Sequence, residues 1–214
     1  MRLRRKGSGE AALAGMPGVL DGGADPAAPQ GGWAAVFGRE ADLHVEIGMG
    51  KGDFILAAAR RKPDVDFIGV ERVQSVLYAA AVKNRDRPLP NLRFLPVDAG
   101  ELERFFSPGQ IARIYLHFSD PWPKTRHQSR RLTAEGKLAM YKRLLKAGGQ
   151  IHMKTDQEAL FAFSLRALIQ GGWSVGKITR DLYHSGWEGN IPTEYERRFT
   201  AMGQPIYRLE AWNP

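Results

Sequence analysis

Five acidic side chains recur at one kind of position in this chain. Glu46, Glu71, Asp98, Asp120 and Asp156 each stand at or just past the end of a short apolar run. Carboxylates so placed can accept hydrogen bonds from sugar hydroxyls or amino groups, or offset a positive charge. The first is followed by Gly48-Met49-Gly50-Lys51-Gly52, a spacing that suits a tight strand-to-helix turn lying close to a ligand. A dinucleotide fingerprint would read G-x-G-x-x-G/A, whereas here the spacing is G-x-G-x-G. The preceding Glu46 is awkward beside a pyrophosphate. It suits a ligand that carries an ammonium or a sulfonium group, for which it supplies countercharge.

A second stretch, residues 117–131, concentrates several chemistries. Asp120 is followed by Pro121, Trp122 and Pro123, and the two prolines stiffen the backbone that presents the carboxylate. Beyond them come Lys124, Arg126, Arg130 and Arg131, with His127 among them and no acid from 124 to 131. Such a run fits the phosphates of a nucleic acid. The formal net charge of +8 points to the same class of polyanionic partner. The chain has no cysteine, which excludes disulfides, thiolate metal sites and a cysteine nucleophile. Its histidines show no metal-ligand spacing, and no metal is expected. No run approaches the roughly 18 apolar residues of a membrane span, and the cations near Met1 are not followed by a signal-peptide core. A soluble, cytoplasmic protein is expected.

The elements that must position these groups follow from the hydrophobic pattern. Apolar runs at 43–47, 66–70, 92–97, 111–118, 150–154, 173–178 and 206–211 read as strands. Helical patterns fall at 50–61, 73–83 and 133–146, the last closed by Gly148 and Gly149. A short helix runs through Leu102 and Phe106. Asp156 is placed to cap a helix that buries Leu160, Phe161, Leu165, Leu168 and Ile169. Alternating strands and helices imply a doubly wound parallel α/β sheet, with ligands at the carboxyl ends of the strands. No crossover helix is evident between the last two strands, so at least one of them is free to run antiparallel. Residues 1–32, rich in Gly, Ala and Pro behind a basic start, read as a disordered tail. Residues 33–214 read as one domain of a size that supports its own core.

A ligand with both ammonium and sulfonium groups is S-adenosylmethionine. Glu71 is then placed for its ribose hydroxyls, and Asp98 for the adenine amino group or a nearby water. With these residues in hand, the chain resembles the bacterial tRNA (guanine-N7-)-methyltransferase family. Three stretches carry the likeness: the one opening at Glu46, the Asp120-Pro-Trp-Pro-Lys-Thr-Arg-His stretch, and Thr193-Glu194-Tyr195-Glu196. The resemblance implies a class I (Rossmann-like) methyltransferase fold, with a seven-stranded, mostly parallel sheet whose last strand is antiparallel. It implies methylation of guanine N7 at position 46 in the variable loop of tRNA. It also implies that Glu46, Gly48, Gly50, Glu71, Asp98 and Asp120 line the cofactor site, with Asp120 at the chemistry. Lys124, Asp156, Thr193 and Glu196 would contact the substrate, and Arg126, Arg130 and Arg131 would lie against RNA. Glu196 is read as an acceptor for the N1 and N2 edge of guanine. The family's late motif usually has lysine where Glu194 stands.

Two other readings are compatible with parts of this pattern. An amino-methyltransferase acting on adenine N6 or cytosine N4 uses Asp/Asn-Pro-Pro-aromatic at the same strand end. Trp122 interrupts that motif here. A noncatalytic RNA-binding protein on a methyltransferase scaffold has no need of the full set of strand-end acids.

Overall fold

The computed structural model describes residues 12–20 and 32–214. After a short helix α1 (Trp33–Phe37), strands and helices alternate. They are β1 (Leu43–Ile47), α2 (Asp53–Arg61), β2 (Asp66–Val70), α3 (Gln74–Arg85), β3 (Leu92–Leu95) and β4 (Ile111–His117). Then come α4 (Glu135–Leu144), β5 (Leu145–Thr155), α5 (Glu158–Gln170), β6 (Ser174–Thr179), α6 (Glu194–Ala201) and β7 (Tyr207–Trp212). The seven strands form one sheet in the order β3-β2-β1-β4-β5-β7-β6. Strands β1 to β5 pair in parallel. Strand β7 runs antiparallel to both β5 and β6, between which it sits. The expected α/β class, strand count and reversed last strand all hold.

Every residue of β1 and β2 is buried, as expected for strands covered on both faces. Side chains alternate between two cores. Val45, Ile47, Ile114, Leu116, Ile151 and Met153 pack against α1, α4 and α5 on one face. Phe67, Leu92, Phe94 and Tyr115 pack against α2 and α3 on the other.

Several boundaries differ from the sequence expectations for identifiable reasons. Helix α2 starts at Asp53, because Gly48, Gly50 and Gly52 all take positive φ values (72°, 58° and 76°). Gly148 does not close a helix. The chain extends at Leu145 straight into β5, and Gly148, at φ 70°, lies within that strand. Its N–H donates to Asn213 O (3.0 Å), while the neighbouring Gly149 carbonyl accepts from Asn213 N (2.8 Å). Asp156 is not a cap, since Gln157 holds the N-cap position of α5. Ile169 is not in the core; α5 buries Leu160, Phe161, Ser164 and Leu168 and leaves Ile169 59 % exposed. Helix α6, between β6 and β7, was not anticipated.

The disordered tail expected over 1–32 does not hold for residues 12–20. Leu13 is buried in the α2/α3 core. Leu20 N donates to Phe94 O and Phe94 N to Gly18 O, so this segment lies along the β3 edge and covers it. The rest of that expectation, including Arg2, Arg4, Arg5 and Lys6, lies outside the described residues.

Candidate active site

The ends of β1 to β4 surround a cavity of about 810 Å³, within the usual range for small-molecule sites. Gly48, Glu71, Asp98, Asp120 and Arg130 all line it, so five expected site residues converge. Its apolar wall includes Ile47, Val70, Val76, Val97 and Leu132. Glu71 follows β2 directly, and the glycine turn orients its carboxylate. Gly50 N donates to one oxygen (3.2 Å) and Val73 N to the other (2.9 Å). Gly50 therefore acts through Glu71 and is not itself part of the lining. Asp98 accepts from Gly100 N (2.8 Å), and Lys137 Nζ stands 4.0 Å away. Lys137 also lines the cavity and was not singled out from sequence.

Asp120 sits in a strained loop. Phe118 and Trp122, two residues to either side, are the non-glycine positions with positive φ among the described residues (50° and 41°). Each such conformation costs on the order of 1–3 kcal/mol and persists only where its surroundings enforce it. Arg131 provides that enforcement. Its Nε donates to Pro121 O and its Nη2 to Trp122 O, both at 3.0 Å. Its guanidinium lies 4.3 Å from the centre of the Phe163 ring on α5. Arg131 is only 6 % exposed. It faces inward as a clamp on the loop, which corrects the expectation that it lies against RNA. Trp122 packs between Arg130 (4.9 Å from its ring) and the edge of His127. Lys124, Arg126 and Arg130 are exposed, and none has a carboxylate partner among the described residues.

Glu46 departs from its expected place. It precedes Ile47, and alternation along β1 turns it to the opposite face of the sheet. It is 2 % exposed and does not line the cavity. One oxygen lies 3.2 Å from His117 Nδ1 and the other has no hydrogen-bond partner. Burial pushes its carboxyl up to about 8, against the opposing pull of Lys154. Burial that disfavours its charged form makes Glu46 a poor countercharge for a cation.

Glu196 is likewise interior, at 0 % exposed. It accepts from Lys154 Nζ (2.6 Å), Asn190 Nδ2 (2.6 Å) and Tyr183 Oη (3.0 Å). It also completes a capping box with Thr193 at the start of α6. With its oxygens committed to the protein, it is a structural anchor and not an acceptor for a base edge. Asp156 is half-buried, and its carboxylate lies 3.5 Å from Tyr195 Oη. The Tyr195 ring packs on Phe118 (5.1 Å between centroids) and stacks on Phe199. Tyr195, which lies inside the Thr193–Glu196 motif, thereby joins Asp156 and α6 to the Asp120 loop. Among the described residues, no group of three or more His, Asp or Glu could hold a metal ion, and no helix could cross a membrane.

Comparison with known proteins adds an independent line. The family described as "Putative methyltransferase" matches residues 40–209. A tRNA (guanine-N(7)-)-methyltransferase of Geobacillus thermodenitrificans is 47 % identical over 214 residues, covering 100 % of this chain and 98 % of the relative. The Bacillus subtilis protein of the same name is 45 % identical, covering 87 % of each chain. Among solved structures, the 16S rRNA (adenine(1408)-N(1))-methyltransferase of Catenulisporales acidiphilia, with cosubstrate SAM, superposes with a TM-score of 0.64. The identity is 16 %, over 90 % of this chain and 92 % of that one. A precorrin-6y C5,15-methyltransferase of Geobacter metallireducens gives 0.56 at 16 % identity, over 85 % and 87 %. At these identities the structures attest the fold, while the sequence relatives attest the family. The chain belongs to the tRNA (guanine-N7-)-methyltransferase family.

Proposed function

We infer that this protein transfers a methyl group from S-adenosylmethionine to N7 of a guanine in tRNA, at position 46 of the variable loop, in the cytoplasm. The observation that carries the reading is the convergence of Glu71, Asp98 and Asp120 on one cavity, beside the exposed cations Lys124, Arg126 and Arg130. The donor set fits the cofactor. Glu71, held by two backbone amides, keeps acceptor capacity for ribose hydroxyls, and Asp98 for the adenine amino group. Bound there, S-adenosylmethionine supplies an electrophilic methyl group on a sulfonium.

The demands on the protein follow from the nucleophile. Guanine N7 carries a free in-plane lone pair and no proton, so no general base is needed. The chain's task is to orient the base and hold it there. Asp120 offsets the positive charge that develops on the five-membered ring of guanine. Arg131 fixes the loop that presents it, while Lys124, Arg126 and Arg130 hold RNA phosphates. The test is incubation of purified protein with unmodified tRNA and S-adenosylmethionine, followed by nucleoside mass spectrometry and mapping. 7-Methylguanosine at position 46 is expected. N6-methyladenosine without 7-methylguanosine would overturn the reading.

A further inference from the structure

A second, smaller cavity of about 100 Å³ lies on the α2 side of the sheet, apart from the candidate active site at the strand ends. It is enclosed by Phe54 and Ala58 of α2, the sheet side chains of β4, β5 and β7, and the Gly189–Asn190–Ile191 segment. Its polar wall is cationic, with Lys62, Arg113, Lys154 and Arg208. Two of these charges are matched locally. Lys154 pairs with Glu196 (2.6 Å), and Arg208 Nη2 pairs with Glu210 (2.7 Å). Two are not. Among the described residues, neither Arg113 nor Lys62 has a carboxylate within ion-pair distance. Asp42, the nearby acid, is held by Lys146 at 2.7 Å. The side-chain polar contact of Arg113 is to Tyr115 Oη at 3.5 Å.

Two donors at this wall are also buried without partners, Arg113 Nε and Arg208 Nε. Orphaned buried donors are rare and mark strain, an ordered water or a bound ion. The positive field is felt by the histidines around it. His117 and His152, in the lining, and His44, beside Tyr115, are all held below the ordinary imidazole range by burial and by these cations.

We propose that this cavity binds a tetrahedral oxyanion, with Arg113 and Lys62 supplying the uncompensated charge and the two orphaned Nε–H groups serving as donors. Its volume corresponds to about three waters at ~30 Å³ each, which one oxyanion with its directed oxygens can replace. The site is separate from the methyl-transfer cavity, and none of its residues lines that cavity. Inorganic phosphate is the natural free ligand. Its role is to complete the polar layer between α2 and the sheet, so that binding is read out as stability.

The test uses the full chain with inorganic phosphate, measured by thermal unfolding and isothermal titration against chloride at matched ionic strength. The native protein is expected to gain Tm saturably with phosphate. Arg113→Met removes a cation that lacks a counter-ion, so its Tm in chloride should match or exceed the native value. Its phosphate affinity should fall on the order of tenfold or more. Lys62→Met, at an exposed position, should weaken phosphate binding in the same direction and leaves the sheet untouched. A triple variant at Lys124, Arg126 and Arg130 should keep the full phosphate effect, and Arg113→Met should keep native tRNA affinity. Loss of the effect in the triple variant would move the phosphate to the RNA-facing cations. A fall in tRNA affinity with Arg113→Met would make the anion an RNA phosphate. Absence of any gain beyond chloride would leave no oxyanion site, and each of these three results overturns the proposal.

Discussion

Replacing Arg131 by lysine separates two roles that a cation next to Arg130 could play. In the structure the guanidinium makes two hydrogen bonds to the Pro121 and Trp122 carbonyls and stacks over Phe163. An ammonium keeps the charge but loses the fork and the planar stack. At most one of the two carbonyl bonds survives. A hydrogen bond to a charged group contributes about 1.5–3 kcal/mol. The loop it restrains carries positive φ at Phe118 and Trp122, each costing on the order of 1–3 kcal/mol. Loss of one bond is therefore comparable to the strain it opposes, and the loop should relax. Asp120 then moves away from the reacting base. Misplacement by about 1 Å can cost on the order of 10²-fold in rate. The assay is single-turnover methylation with tRNA and S-adenosylmethionine saturating, beside tRNA affinity across a salt series. A rate loss between about tenfold and a hundredfold is expected, with an unchanged slope of log affinity against log salt. A native rate with a slope shallower by about 1 would make Arg131 a phosphate contact and refute the clamp.

Three further outcomes follow from the same geometry. Glu71→Ala should weaken S-adenosylmethionine binding by about 1.5–3 kcal/mol in calorimetry, through loss of a charge-assisted acceptor, and unchanged affinity in a folded variant would remove Glu71 from the cofactor site. Glu196→Gln leaves Lys154 buried without its counter-ion. That should cost about 3–5 kcal/mol, or roughly 10 °C in Tm for a chain of this size; a Tm within about 2 °C of native would contradict the anchor role. The folded-state pKa of Glu46 is raised, to about 8 from 4.5. Its contribution to stability is therefore fully present below about pH 4.5 and is lost as pH rises through about 8. Glu46→Gln should flatten that decline in denaturant titrations run from pH 5 to 9, and an identical decline in the variant would exclude Glu46 as its source.

The parts of the site legible in sequence are those whose position follows from one element. Glu71, Asp98 and Asp120 each follow a strand, and parallel pairing alone brings strand ends to one rim. Gly48 and Gly50 announce a turn because three left-handed residues in five demand glycine. The parts that were not legible depend on contacts between distant elements. Nothing in a run of cations reveals that Arg131 folds back on Pro121 and packs on Phe163 of α5 while Arg130 turns to the rim of the cavity. Glu46 obeys the strand-end rule, yet alternation along β1 sends its side chain to the other face. The Thr193-x-x-Glu196 spacing is itself a capping-box signature. That spacing marks the start of α6, and the same residues read as a substrate motif conceal it. Gly148 and Gly149 look like a helix stop, and only the Asn213 backbone across the sheet shows that they belong to a strand.

The proposed methyl transfer depends most on Asp120 as an electrostatic partner of the methylated base. Asp120→Asn keeps the shape and one acceptor oxygen but removes the charge. Single-turnover methylation with tRNA and S-adenosylmethionine both saturating removes binding from the measurement. A rate on the order of 10²–10³ lower than native is predicted, as for loss of one preorganised group at a transition state. A rate within a few-fold of native would show that Asp120 is structural and would contradict the central claim.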